Sequence, residues 1–363
     1  MLLLFSSSLS TLVNTDAPRI LSAVAGLPRC IGVPSLTDAR AWGCPIIEVV
    51  NKDGTKTEES CAACGVKPAA LALACIGQGM TNTTGRDGTP VTFSLPVDMS
   101  TVKAEYFQWT LSDGRTNVAE CATTNGRPAG EPNELQTIAI IGDAGGWSTA
   151  TITKMSIIGP LMLVQPNGTK VSAQGLEYVG PSLSWSNGCV LLDARLEVFS
   201  TTGETLKGKL FPPTTGEFPN HCRVNFPTTT HRIRMLWNGG VSHDGRRSVN
   251  PDEINLFRVN DATGAELPAA SILGLADLGD QPAGTTVAAR DGYISDSDNY
   301  LDLCLHLGGE GTDVAKLPAS VDVLCGNNNT QQISMPKGLK KATNGLAPLS
   351  DPLCKPHTVS VHA

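Results

Sequence analysis

The stretch "VTFSLPVDMSTVKAEYFQWTLSDG", residues 91–114, decides how this chain is read. Val91, Phe93 and Leu95 alternate with smaller or polar residues, and Phe107, Trp109 and Leu111 do the same before Asp113-Gly114. A period of two puts each apolar set on one face of a strand, and Asp-Gly is a turn dipeptide. Two half-buried strands and a tight turn are expected here. Working outward, "LQTIAIIGDAGG" and "TATITKMSIIG" add Ile138, Ile140, Ile152 and Ile157, with Gly, Pro and Asn between the runs. Short strands at such spacing, without intervening helical patterns, indicate a sandwich rather than βαβ units.

The pattern then recurs. "HRIRMLWNGGVS" alternates Ile233, Met235 and Trp237 as the earlier strand alternates Val91, Phe93 and Leu95. After it, "SVNPDEINLF" aligns with "TVKAEYFQW", so that Val249, Asp252, Ile254 and Leu256 fall on Val102, Glu105, Phe107 and Trp109. Both copies go on to a Gly turn and an Ile/Leu-rich run that ends near Asp143 in the first and near Asp277 and Asp280 in the second.

Residues 91–114 resemble the opening of bacterial immunoglobulin-like modules of the S-layer and adhesin type. There a V-x-F-S-x-P-V-D strand and turn precede an S-T-V helical turn and an F-x-W/V-x-L strand. The second copy follows more loosely, with Asn238-Gly239-Gly240 in place of Ser-x-Pro. The resemblance implies an all-β fold of two immunoglobulin-like sandwiches in a surface or extracellular setting, acting as spacers or binding platforms, and carries over no catalytic residue. The organisation expected is a cysteine-rich, partly helical cap over 1–84, a first module over 85–182 and a bridging hairpin over 183–227. A second module over 228–312 and a turn-rich tail over 313–363 complete it. The helical signal of the cap is "GVKPAALALACIGQG", with Pro68 in a first turn and Gly77 as a stop.

Composition narrows the partners. The net charge of −7 and the lack of a basic stripe argue against nucleic acid or an anionic membrane surface. No apolar run reaches the roughly eighteen residues needed to span a bilayer as a helix. Protein or glycan partners fit better. The eleven cysteines, Cys30, Cys44, Cys61, Cys64, Cys75, Cys121, Cys189, Cys222, Cys304, Cys325 and Cys354, are scattered as disulfides of a secreted protein are. An odd count leaves at least one thiol unpaired or shared with another chain. Sequons at Asn82, Asn167 and Asn328 suit the same compartment as glycosylation candidates. At the N-terminus "SAVAG" offers an A-x-A-like site ending at Ala25, but Arg19 separates it from the apolar start, and an ordinary strand is the other reading.

The stretch richest in chemistry is "SDSDNYLDLCLHL", residues 295–307. Leu301, Leu303, Leu305 and Leu307 alternate, so Tyr300, Asp302, Cys304 and His306 share the other face of a strand. At ~3.3 Å per residue Asp302 and His306 lie about 13 Å apart, too far for a catalytic pair. The cysteine is expected in a disulfide. Asp296, Asp298 and Asn299 precede the strand at alternating positions that suit calcium oxygen ligands, without the Gly and terminal Glu of an EF-hand. An Asp-rich turn capping its own amides is the commoner outcome. No other cofactor is implied.

"CAACG" lacks the preceding strand and immediate helix of a redox Cys-x-x-Cys. A Cys₄ zinc site from Cys44, Cys61, Cys64 and Cys75 satisfies the count but not the paired spacing. There is no G-x-S-x-G elbow and no phosphate-cradling Gly loop. His243-Asp244-Gly245 reads as an exposed connection. Trp147 and Trp185, among small turn residues, are candidate stacking platforms for a sugar, although a tryptophan beside a glycine turn is more often a lid on the core. The expectation is a secreted or surface binding or structural protein without chemistry of its own. The alternative is a secreted hydrolase whose loop carboxylates assemble in the fold, with calcium as an optional ion.

Overall fold

The computed structural model describes residues 17–23, 27–42, 44, 46–50, 56–60, 75–123, 135–145, 150–165, 167–179, 190–199, 222–238, 241–242, 249, 252–276, 300–308, 314–324, 347–348 and 356–362. They are mostly β-strands in several sheets with few helices, an all-β architecture.

The first half runs β1 (Ile20–Ala23), β2 (Leu27–Ile31), a hairpin of β3 (Ile46–Val50) and β4 (Lys56–Ser60), then β5 (Arg86–Phe93). It continues with β6 (Phe107–Leu111), β7 (Thr116–Val118), β8 (Cys121–Thr123), β9 (Thr137–Gly142) and β10 (Ile152–Ile157). A hairpin of β11 (Met162–Val164) and β12 (Lys170–Ser172) leads to β13 (Glu177–Tyr178). One sheet has the order β1-β5-β9-β8, with β2 also on β5, and a second has β13-β10-β6-β7. Their inner faces enclose one core. Val91 and Phe93 of β5 and Ile138 and Ile140 of β9 meet Phe107 and Trp109 of β6 and Met155 and Ile157 of β10. The alternation in the sequence is thus the alternation of core and outward positions. The Asp113-Gly114 turn forms as expected: Gly114 has φ +85°, and Asp113 Oδ1 accepts from Arg115 N at 3.1 Å.

The second half holds β14 (Leu191–Val198), β15 (His231–Trp237), β16 (Val241–Ser242), β17 (Phe257–Asp261), β18 (Ile272–Ala276) and β19 (Tyr300–Leu305). It ends with β20 (Pro318–Val323), β21 (Ala347–Pro348) and β22 (His357–His362). Seven of these form one sheet of order β17-β20-β22-β14-β15-β19-β18 that bends over its own core, so that Trp237 of β15 meets Phe257 of β17 at 6.1 Å between ring centroids. The segment read as a bridging hairpin supplies β14, paired along its length with β15, and the segment read as a turn-rich tail supplies β20 and β22.

The internal recurrence is present in the topology. β1-β5-β9-β8 is repeated by β14-β15-β19-β18, and β13-β10-β6 by β22-β20-β17. The register differs from the sequence alignment, which pairs residues 147 apart (249 less 102). A 3₁₀ turn at Ala104–Tyr106 leads into Phe107, and one at Ile254–Leu256 leads into Phe257, so the structural offset is 150 (257 less 107). It also superimposes the turn glycines Gly114 and Gly264, at φ +85° and +83°. Ile254 and Leu256 imitate strand alternation because a spacing of two also occurs where a 3₁₀ turn passes into a strand.

Ile20–Ala23 pairs with β5 and buries Ala23 completely, so β1 runs up to the first alanine of the A-x-A stretch, and a cut after Ala25 would remove that strand.

Candidate functional site: a buried arginine–carboxylate ladder

The outer face of the β14-β15-β19 sheet is set by three alternating rows. Asp193, Arg195 and Glu197 occupy β14, Arg232 and Arg234 occupy β15, and Tyr300, Asp302 and Cys304 occupy β19. The register aligns Glu197 with Arg232 and Arg195 with Arg234 on one side, and Arg232 with Cys304 and Arg234 with Asp302 on the other. The apolar residues between them face the core.

Asp302 is fully buried and is the hub. Its carboxylate accepts from Arg234 Nε at 2.8 Å, from Arg234 Nη2 at 2.9 Å and from Arg232 Nη1 at 2.7 Å. Arg232 Nε also donates to Glu197 Oε2 at 2.5 Å, and both arginines and Glu197 are less than 5% exposed. The other Glu197 oxygen, Oε1, is buried with no hydrogen-bond partner among the described residues. Arg232 lies 5.9 Å from the Phe199 ring centroid, and Arg234 5.2 Å from that of Tyr300. Two guanidiniums and two carboxylates make the cluster formally neutral, which is how buried charge is tolerated. Burial pushes the Asp302 carboxyl upward in pKa, but the charges of Arg232 and Arg234 and their hydrogen bonds outweigh it, and the carboxyl is held below its ordinary value. A carboxylate fixed in this way is a structural anion. It cannot readily shuttle a proton near neutral pH.

At one end the ladder meets the first half of the chain. Tyr300 donates its hydroxyl to Gln136 Oε1 at 3.0 Å, while Gln136 Nε2 donates to Phe93 O at 3.0 Å. Arg195 Nη2 donates to Ser94 O at 3.2 Å, and its Nε to Asp193 Oδ2 at 3.0 Å. Ser94 is itself tied to the residues ahead of β1, its hydroxyl donating to Ala17 O at 2.9 Å. His362 at the end of β22 approaches Asp193 at 3.8 Å. At the other end Cys304 forms a disulfide with Cys222, whose helical turn packs beside Phe199.

The sequence-predicted residues divide as follows. Tyr300, Asp302 and Cys304 share a buried face, as read, and Cys304 is in a disulfide. His306 is exposed, with Nδ1 2.7 Å from Thr228 O, and takes no part in the Asp302 cluster. Cys30–Cys44 and Cys75–Cys121 are the other two disulfides among the described residues, both in a small core with Ile31 and Ile141. The Cys₄ zinc reading is therefore overturned: Cys44 and Cys75 are bonded to other cysteines. Cys61, Cys64, Cys189, Cys325 and Cys354, the calcium candidates Asp296, Asp298 and Asn299, Trp147, Trp185, Asn328 and the His243 loop lie outside the described residues. Asn82 and Asn167 are exposed in turns. Their Oδ1 atoms accept from Thr84 N at 2.9 Å and Thr169 N at 2.8 Å, and each of these threonines is the third residue of its sequon. No group of three metal-ligating side chains is gathered among the described residues.

Sequence reading missed the partners of Asp302. The signal was present as polar alternation, Arg232 and Arg234 in "HRIRMLW" and Asp193, Arg195 and Glu197 in "LLDARLEVF". Such rows usually face water. No helix among the described residues is long and apolar enough to cross a membrane. No protein-family model, no curated protein and no solved structure matches this chain.

Proposed function

We propose that this protein is an extracellular or cell-surface binding or structural protein of two immunoglobulin-like modules held as one stiff unit, with protein or glycan partners and no chemistry of its own. The observation that carries the reading is the joint. Tyr300–Gln136 and Arg195–Ser94 are hydrogen bonds between modules made by buried or nearly buried side chains, backed by an ion ladder. A joint built this way transmits orientation and load, which a spacer or display platform requires.

Other features support the module type and the compartment. The order β1-β5-β9-β8 opposite β13-β10-β6-β7 corresponds to the A-B-E-D and G-F-C-C′ sheets of an immunoglobulin-like sandwich, with Trp109 buried on the strand in the C position. Three disulfides suit an oxidising compartment. The exposed sequon turns at Asn82 and Asn167 would carry glycans without disturbing either core.

The test is to produce the full chain in a secretory host and measure intact mass with and without reductant and glycosidase. The same protein is then screened on glycan and surface-protein arrays and against a panel of glycoside, ester and peptide substrates. Oxidised, glycosylated protein with saturable binding and no turnover supports the reading. Turnover lost on mutation of a loop carboxylate would establish the hydrolase instead, and fully reduced cysteines would place the protein inside the cell.

A further inference from the structure

Where the two halves of the chain meet, two guanidiniums and an imidazole gather around Asp193. Arg195 of β14 donates from Nη2 to Ser94 O at 3.2 Å and from Nε to Asp193 Oδ2 at 3.0 Å. Arg19, just ahead of β1, is tied to the same serine. Its N donates to Ser94 Oγ at 2.9 Å, and Ser94 N donates to its carbonyl at 3.0 Å. His362, at the end of β22, stands with Nε2 3.8 Å from Asp193 Oδ1, and its ring feels the charges of Arg195 and Arg19. The side chains of Asp193, Arg195 and His362 are 8, 11 and 27% exposed, so the group forms a recess that is most open at His362. No ion pair among the described residues includes Arg19, and its Nε is buried without a hydrogen-bond partner among them. Two arginines against one aspartate leave one positive charge in excess, and two once His362 is protonated. The neighbouring ladder does not offset it, because Arg232 and Arg234 already balance Glu197 and Asp302.

We propose that this recess binds a small tetrahedral oxyanion, a sulfate or phosphate group, between Arg19, Arg195 and His362. A buried donor without an acceptor costs free energy, and a charged donor costs more than a neutral one. A guanidinium holds its N–H groups in a rigid fork that matches oxyanion oxygens. Arg19 supplies the unused donor. Arg195 keeps its bonds to Asp193 and Ser94 and contributes its charge, while Asp193, held by Arg195 Nε, turns the incoming anion toward Arg19. His362 couples the site to pH. Burial and, behind it, the two arginines hold its pKa below 6.5 against the pull of Asp193. An anion beside the ring favours the imidazolium, so anion and proton promote each other's binding. The inference deepens the proposed function and rests on it for the source of the group, a sulfated or phosphorylated glycan. The anion site itself depends on neither compartment nor partner.

The test is isothermal titration of the full chain with sulfate, phosphate and chloride at fixed ionic strength, then with a sulfated monosaccharide and the same sugar unsulfated. The key variant is Arg19→Gln, which keeps the main-chain bonds of residue 19 to Ser94. Saturable binding of both oxyanions and not of chloride is expected, weakened about tenfold or more in Arg19→Gln. Sulfate should bind more tightly at about pH 5.5 than at about pH 7.5, a difference that His362→Gln abolishes. No saturable binding of either oxyanion, or sulfate binding in Arg19→Gln equal to that of the parent, overturns the inference. Should Arg19→Gln fail to fold, the His362 ring of the parent chain decides by NMR: sulfate must raise its titration midpoint, and an unmoved midpoint ends the inference. Tighter binding of the sugar sulfate than of free sulfate supports the site with a glycan as its source, and equal binding supports it with the free ion. Failure of these titrations leaves the surface-protein reading standing, and fully reduced cysteines would sink that reading without altering them.

Discussion

Asp302 and Arg234 face each other across β19 and β15 in a two-point contact, with Arg234 Nε and Nη2 at 2.8 and 2.9 Å from the two carboxylate oxygens. Because Asp302 also neutralises Arg232, its removal takes the shared carboxylate from two buried guanidiniums and leaves the cluster with a net positive charge. Asp302→Ala is expected to cost about 3–5 kcal/mol, the penalty for breaking a buried pair from one side. Replacing Glu197, Arg232, Arg234 and Asp302 together with apolar residues of similar volume is expected to cost far less. Urea midpoints of the two variants check the contrast; equal losses would show that the ladder is not one unit.

The pH dependence has two steps of the same sign. His231 and His362 have pKa values lowered below 6.5, in both cases chiefly by burial; for His362 the pull of Asp193 opposes this and the repulsion of Arg195 and Arg19 adds to it. The unfolded chain therefore binds more protons as pH falls through about 6.5, and stability declines there. Asp302, also lowered, contributes stability that is full above about 3.9 and disappears as pH falls through its folded value. Urea midpoints are expected to be flat above neutrality, to fall modestly between pH 7 and 5, and to fall steeply below 4. His231→Gln with His362→Gln should flatten the first fall and leave the second.

At the joint, Tyr300→Phe keeps the ring beside Arg234 but leaves Gln136 Oε1 buried without its donor. A loss of about 1–2 kcal/mol is expected. Limited proteolysis should show earlier separation of the halves than in the parent chain. An unchanged midpoint and digestion pattern would mean that the hydrogen bond does not join the two halves.

The Cys222–Cys304 disulfide closes a loop with a sequence separation of 82. Replacing both cysteines with alanine should cost about 2–5 kcal/mol. Peptide mapping should recover this bond together with Cys30–Cys44 and Cys75–Cys121; a different partner for Cys44 or Cys75 would contradict the structure.

Gly274 is required by contact. A Cβ there would lie 2.1 Å from the Phe226 ring. Gly274→Ala is expected to cost about 1–3 kcal/mol as overpacking. Adding Phe226→Ala should recover part of it, which separates the clash from a general intolerance of the strand.

The β-rich architecture was legible because period-two alternation at Val91–Leu95, Phe107–Leu111, Ile233–Trp237 and Leu301–Leu307 is a local property. It survives whatever the strands pair with, and all four apolar sets are buried. The same locality made Cys304 readable as a core cysteine, and allowed the repeat to be seen but its register to be misplaced by three residues. The sequence alone determined the strands and which of their faces turn inward. Only the tertiary structure decided what meets on the other face. Arg232 and Arg234 lie 70 and 68 residues from Asp302 in sequence and meet it through the β15–β19 pairing, and Tyr300 finds Gln136 in the other half of the chain. Polar residues at alternate positions look the same whether they face water or one another. Whether they are solvated or paired depends on long-range register, for which no local pattern exists.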